Sequence, residues 1–314
     1  MTEVKIRPLL EADLADADRI MRRAFGTFLG LPDPLSFMGD GDFVYTRWRA
    51  DPAAALAAEQ HGRLVGSNFV TRWGSVAFFG PISVEPELWD RGVAQQLLEA
   101  TMKLFAKWRS RHVGLYTFAE SGKHVGLYQK FGFYPRFLTL VLEKKPGPVG
   151  EPAARFSSLS DVQKRKCLAD ARRLTGTILP GLDVRREIEA VEAQKLGDTI
   201  LIPENHGAGL GGFAVCHYGA GTEAGSGNCY VKFGAVARAR GAQRAFEQLL
   251  DACESYAAER GASLISLGVN AARELALRTV KARGYRTDIQ GIAMHLNNDP
   301  GYNVRSAFLI DDWR

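Results

Sequence analysis

The chain has 314 residues, 46% hydrophobic and 24% charged, with a formal charge of +5 and a pI near 9.0. At about 150 residues per domain this length predicts two domains, and the composition is too apolar for a disordered chain. Apolar runs such as Phe137–Leu142 fall far short of the ~20 residues of a membrane span, and MTEVKIRPLLEAD carries acids where a signal peptide would be apolar.

Cys167, Cys216, Cys229 and Cys253 form neither a disulfide framework nor a CxxC pair, so the expected protein is cytoplasmic, without a structural metal. The basic balance leans towards an anionic partner, either nucleic acid or a phosphate-bearing cofactor. Its Lys and Arg residues stand in short groups, such as Lys164-Arg165-Lys166, spaced as on solvated helix faces. No block of five or more suggests a nucleic-acid arm.

In chain order the pattern predicts a helix over about 11–25 and then a hairpin, AALAAEQ-HG-RLVGSNFVTRW. Its first arm is alanine-rich, but the His61-Gly62 turn and the period-2 run after it argue for strand. A strand VAFFGPISV ends at Val84. A helix follows, with Ala94, Leu97, Leu98, Thr101 and Phe105 on one stripe, then a strand at 113–118 and a short helix closing on Phe131-Gly132-Phe133. The segment Lys144–Pro152, KKPGPVGEP, can continue neither helix nor central strand and reads as a linker.

Across it the pattern repeats. Val84–Phe133 maps without gaps onto Val236–Tyr285, with the stripe Phe246, Leu249, Leu250, Cys253 and Ala257 in the same phase. Upstream come a helix at about 161–174 and strands at 199–202 and 211–218. GAGLGG (207–212) matches a dinucleotide fingerprint by letter, yet it leads into a strand rather than a helix and reads as a hairpin loop. Near the end, Gly291–Leu296 reads as a strand and 306–310 as apolar and strand-like. This tail is expected either to complete its own domain or cross to the first, with Asp311 and Asp312 at the rim of an acceptor cleft, or to be a frayed, solvated terminus.

The informative stretch is FFGPISVEPELWDRGVAQQLLEATMKLF. A strand runs through a loop into a helix near Gly92, whose first-turn N–H groups form an anion site. Gly92 lets a phosphate approach the backbone, Ala94 keeps the next turn shallow and Arg91 adds a charged donor. Gly80-Pro81 inside the strand predicts an edge or bulge. That would free backbone groups of Ile82 and Val84 for an extended ligand lying as a pseudo-strand.

Strand–VxPxxxxRGVAxxLL–helix, followed by strand–GLYxKFGF, resembles the GNAT superfamily of acyl-CoA-dependent N-acyltransferases over about residues 4–143. The family's phosphate loop, Q/R-x-x-G-x-G/A, corresponds to Trp89-Asp90-Arg91-Gly92-Val93-Ala94, departing at Trp89. The resemblance implies two tandem GNAT-like α/β domains, each a mixed, mostly antiparallel sheet flanked by helices: 1–145, a linker at 146–152, and 153–314.

It further implies acetyl-CoA as cosubstrate, held by Ile82 and Val84, by Arg91 to Gln95 (Arg91, Gly92, Val93, Ala94, Gln95), and by Ser121 where the family has Asn. Tyr128 corresponds to the general acid. As general base the candidates are Glu120, a water chain, or an amine that arrives neutral. In the second copy Gly92 maps to Arg244, or with a local gap to Gly241 of Arg240-Gly241-Ala242 with Gln243 in place of the next small residue, and Tyr128 maps to Val280, so that half is expected to be a degenerate copy.

The function implied is N-acyl transfer, most simply N-acetyl transfer, to a small-molecule or peptide amine, with no nucleic-acid or membrane partner and with the assembly open between monomer and homodimer. The alternatives are a non-catalytic acyl-CoA-binding regulator and a tandem-domain aminoacyl or peptide transferase using charged tRNA.

Overall fold

The computed structural model describes residues 4–148, 152–204 and 209–314. Gly207 and Ala208 of the GAGLGG stretch lie outside them. The first half contains β1 (Lys5–Pro8), α1 (Leu14–Phe28), α2 (Val44–Ala50), β2 (Ala55–Gln60), β3 (Arg63–Trp73), β4 (Val76–Val84), α3 (Val93–Trp108), β5 (His112–Thr117), α4 (Gly122–Gln129) and β6 (Phe133–Lys144). The second half repeats that order. It comprises β7 (Ala154–Arg155), α5 (Asp161–Ile178), α6 (Arg185–Gln194), β8 (Gly197–Pro203), β9 (Leu210–Gly219), β10 (Gly225–Val236), α7 (Ala242–Glu259), β11 (Leu264–Asn270), α8 (Glu274–Ala282) and β12 (Arg286–Leu296), with β13 (Leu309–Ile310) in the tail.

Local chemistry accounts for most of these elements. The alanine-rich arm is a strand because His61 and Gly62 both take positive φ, the geometry of a tight two-residue hairpin. Its alternation is used on both faces. Ala55 and Ala57 pack with Leu14, Ile20 and Met21 of α1, while Leu56 and Ala58 pack with Val93 and Leu97 of α3. Ser160 and Gln163 form a reciprocal capping box that starts α5. The short helices α2 and α6 start with only a single aspartate each, Asp42 accepting from Tyr45 N–H and Asp183 from Arg185 N–H, and the sequence pattern did not mark them.

All strands join one sheet, in the order β1-β2-β3-β4-β5-β12-β6-β11-β10-β9-β8-β7, with β13 paired to β10. The halves exchange their last strands. β12, from the second half, lies between β5 and β6 of the first, pairing Thr117 with Ile292 and Leu138 with Ile292 on its two sides. β6 reciprocally enters the second half and pairs with β11 from Thr139 to Lys144. The strand that the first half lacked after Leu142 is therefore supplied by Arg286–Leu296.

One face of the sheet carries α1, α2, α5 and α6; the other carries α3 and α7. The core between the halves mixes Trp73, Val76 and Phe78 with Phe213, Phe233, Tyr302 and Trp313. One buried ion pair crosses the same boundary, Arg47 with Glu223, and Lys232 of the second half extends it by pairing with both Glu223 and Glu187. Burial alone would raise the Glu223 carboxyl, but Arg47 and Lys232 hold it well below the usual carboxylate range.

The tail is ordered and buried. Asp311 and Asp312 are 2% and 3% exposed, so they do not form a solvent rim as expected. Asp311 is occupied by Arg273 and the Tyr302 hydroxyl, and Asp312 accepts from the Tyr230 hydroxyl at 2.9 Å. Each has a strong partner already, which is why burial is tolerated.

Candidate active site

β4 and β5 run parallel for four residue pairs, from Val76–His112 to Phe79–Leu115, and then separate. Gly80, with φ +142°, follows the last pair, and the register against β3 shifts at the same level. Beyond it, Glu85 N–H donates to Val65 O, so strand alternation turns Ser83 towards β3 and turns Ile82 and Val84 towards the gap. An extended ligand could pair there.

At the end of the gap Gly92 adopts φ +81°, a left-handed conformation that favours glycine, with open space where a Cβ would stand. The first helical bond of α3 is Gln96 N–H to Gly92 O, so the N–H groups of Val93, Ala94 and Gln95 point out of the helix end. Arg91, Gly92 and Gln95 are exposed around them, Ala94 is half-buried, and the Val93 side chain anchors the turn in the core. These five, with Ile82 and Val84, lie along one path from splay to helix end.

Trp89 explains the departure from the phosphate-loop pattern. Its indole N–H donates to Val84 O at 2.9 Å, tying the loop to β4. The Lys123 ammonium lies 5.4 Å over its ring and pairs with Asp90. The position thus holds the loop by packing and leaves the charge to Lys123 and Arg91. Only the mismatch at Trp89 signalled this in the sequence.

On the other wall, Ser121 caps α4 by accepting from His124 N–H at 3.3 Å. Tyr128, one face of α4 later, is buried edge-on to Phe79 with ring centroids 5.7 Å apart, and its hydroxyl meets Thr117, the last residue of β5. Burial raises its pKa, while the Thr117 hydrogen bond works the other way. Tyr128 is therefore a protonated group whose hydroxyl lies at the point where β5 leaves β4. Glu120 is exposed in the turn before α4, where its carbonyl accepts from Gly122 N–H. The structure brings Tyr128 to the splay, and Glu120 follows the end of β5 by three residues.

The second half has the same splay, but it is filled. β10 and β11 pair until Val231–Leu267 and then part. Into that gap runs β13, pairing Ile310 with Gly234 and Leu309 with Ala235, while Asp311 N–H donates to Gly268 O on β11. Counted from the last strand pair, Gly234 and Ala235 match Ile82 and Ser83. Val280, where the first half has Tyr128, is fully buried.

The mapping of Gly92 onto Arg244 is corrected by the backbone. The left-handed residue before α7 is Gly241, φ +87°, and Arg240 precedes it as Arg91 precedes Gly92. A three-residue shift is almost one helical turn, so the apolar stripe stayed in phase while the helix start moved.

Residues 21–133 match the family model for the acetyltransferase (GNAT) family. A protein of Pyrococcus horikoshii assigned as an acetyltransferase superposes with a TM-score of 0.70 at 16% identity, over 99% of this chain and 95% of that one. A GCN5-related N-acetyltransferase from Sphaerobacter thermophilus gives 0.58 at 16%, over 95% and 96%. A tandem GNAT protein from the clavulanic acid biosynthesis pathway gives 0.55 at 12%, over 93% and 98%. Among curated proteins none matches by sequence.

The fold and the splayed site thus define a tandem GNAT-like α/β protein. The family match covers residues 21–133 of the first half, and the chain as a whole shares the fold of these solved structures. Among the described residues no helix is long and apolar enough to cross a membrane.

Proposed function

We propose that the chain is a cytoplasmic N-acetyltransferase that moves the acetyl group of acetyl-CoA to a small-molecule or peptide amine, and that residues 1–145 carry the catalysis. Residues 153–314, joined by the linker 146–152, act as a degenerate copy that completes the sheet. The observation that carries this reading is the contrast between the two splays. One has an outward helix end, free-facing strand residues and Tyr128. The other has its own tail in the same place and Val280.

In the first splay the N–H groups of Val93, Ala94 and Gln95, with Arg91, would hold the pyrophosphate, and Ile82 and Val84 would pair with the pantetheine arm. Ser121 would stand beside that arm. Tyr128 would give its proton to the departing thiolate. The direct test is thiol release from acetyl-CoA with a panel of amines and peptides. Thiol release that depends on an amine supports the reading; acetyl-CoA binding without transfer to any amine would favour a binding protein instead.

A further inference from the structure

This inference rests on the acyl-transfer reading above and concerns the group that completes it. Acyl transfer to an amine needs a proton acceptor, and Glu120 lies exposed in the turn before α4. His124 is better placed. It precedes Tyr128 by four residues on α4, so the two side chains lie on one helix face, on the order of 6 Å apart. Tyr128 meets Thr117 at the end of β5.

The His124 ring lies 4.9 Å from that of Phe28 on α1, and Phe28 lies 5.1 Å from Phe118, the residue after Thr117. The imidazole therefore stands against the mouth of the splay, on a residue that is half-buried. Of the six histidines, His61 is in an exposed turn, His206 lies outside the described residues, and His112, His217 and His295 are buried elsewhere.

We propose that His124 is the general base, taking the proton of the attacking amine while Tyr128 supplies one to the sulfur. The amine lone pair forms the C–N bond to the thioester carbonyl carbon. The nitrogen then carries one proton too many, and His124 accepts it. The C–S bond breaks with its electron pair on sulfur, and the Tyr128 hydroxyl protonates the thiolate. Imidazolium and phenolate return to their starting states through solvent, so the net change is one proton moved from nitrogen to sulfur. In the tetrahedral state both atoms sit on one carbon, which suits a donor and an acceptor one helical turn apart.

The surroundings keep the imidazole ready to accept. Burial lowers its pKa, and the neighbouring Lys123 ammonium lowers it further. The ring packed on it from α1 is the uncharged Phe28, which in turn packs on the uncharged Phe118 beyond β5. His124 is thus neutral at neutral pH, and the acid limb of activity should fall below the usual imidazole value of about 6.5.

The test uses the full chain, His124→Gln and His124→Ala, with one alkylamine and one weakly basic aryl amine. The expected result is a kcat loss of about 10² or more for the alkylamine near neutral pH, with the acid limb of the pH profile abolished. Two further results are expected: a smaller loss for the aryl amine, and partial recovery of His124→Ala with added imidazole. A folded variant with wild-type kcat and an unchanged acid limb would overturn the proposal. So would an equal loss at every pH and with both amines, unrelieved by imidazole, because that marks a packing role. A wild-type protein that transfers to no amine would overturn the acyl-transfer reading itself and this inference with it.

Discussion

Tyr128 and Thr117 meet where β5 turns away from β4, and that contact sets the first prediction. Tyr128→Phe keeps the ring against Phe79 and removes only the hydroxyl, so the fold should lose about 1 kcal/mol and acetyl-CoA binding should stay nearly intact. Turnover should drop by a factor on the order of 10² or more, read as kcat in a thiol-release assay. Loss of binding and melting temperature together would make Tyr128 a core residue instead.

At this scale the sequence was informative where backbone conformation dictates the residue. Gly92 could be read from the loop-to-helix pattern because its φ of +81° favours glycine. Glu120 could not be judged, since sequence distance from Tyr128 says nothing about exposure. His124 stood in plain view, but its neighbour Phe28 lies on α1, almost a hundred residues away in sequence.

Strand exchange governs the elements. Without β12 the first half has a gap between β5 and β6, and without β6 the second has one beyond β11. Each gap would expose a row of unpaired backbone groups. Residues 1–148 produced alone should therefore aggregate, whereas the two halves produced together as separate chains should associate and recover acetyl-CoA binding. A soluble, monomeric, cooperatively folded first half would contradict the exchange.

The tail has the same standing: Trp313 packs on Gly114 and stacks on Phe78 at 5.6 Å. Its replacement by Ala should cost about 3–5 kcal/mol, read by denaturant unfolding. A cost below about 1 kcal/mol would mean that the tail is only loosely seated.

The internal repeat was visible because apolar periodicity and the Gly-aromatic punctuation recur. The exchange was not, because a strand's hydrophobic pattern specifies its faces and not its edge partners. The filling of the second splay was hidden for the same reason, while Gly241 was legible only as the alternative that a local gap in the repeat would recruit.

For the whole molecule, the join between the halves contains two imidazoles packed edge to face, His112 on β5 and His295 on β12, 4.7 Å apart. Burial first, then His112, pushes His295 down to about 3, and burial lowers His112 against the pull of Asp299. In the unfolded chain both titrate near 6.5. Between that value and the folded ones the unfolded chain binds more protons, so this contribution to stability is full above about pH 6.5 and drains away as pH falls towards about 3 for His295. Denaturation midpoints should fall from about pH 7.5 to about pH 5, and His295→Asn should flatten that slope. An unchanged slope in the variant would place the acid sensitivity elsewhere.

The reading as a whole rests on one open splay and one closed by the chain's own tail. Calorimetric titration of acetyl-CoA into the full chain tests that most directly, comparing the parent with Gly92→Trp and Gly241→Trp, each first shown to be folded. The account predicts one acetyl-CoA per chain, lost in Gly92→Trp and retained in Gly241→Trp. Two molecules per chain, or a single site lost only in Gly241→Trp, would contradict it.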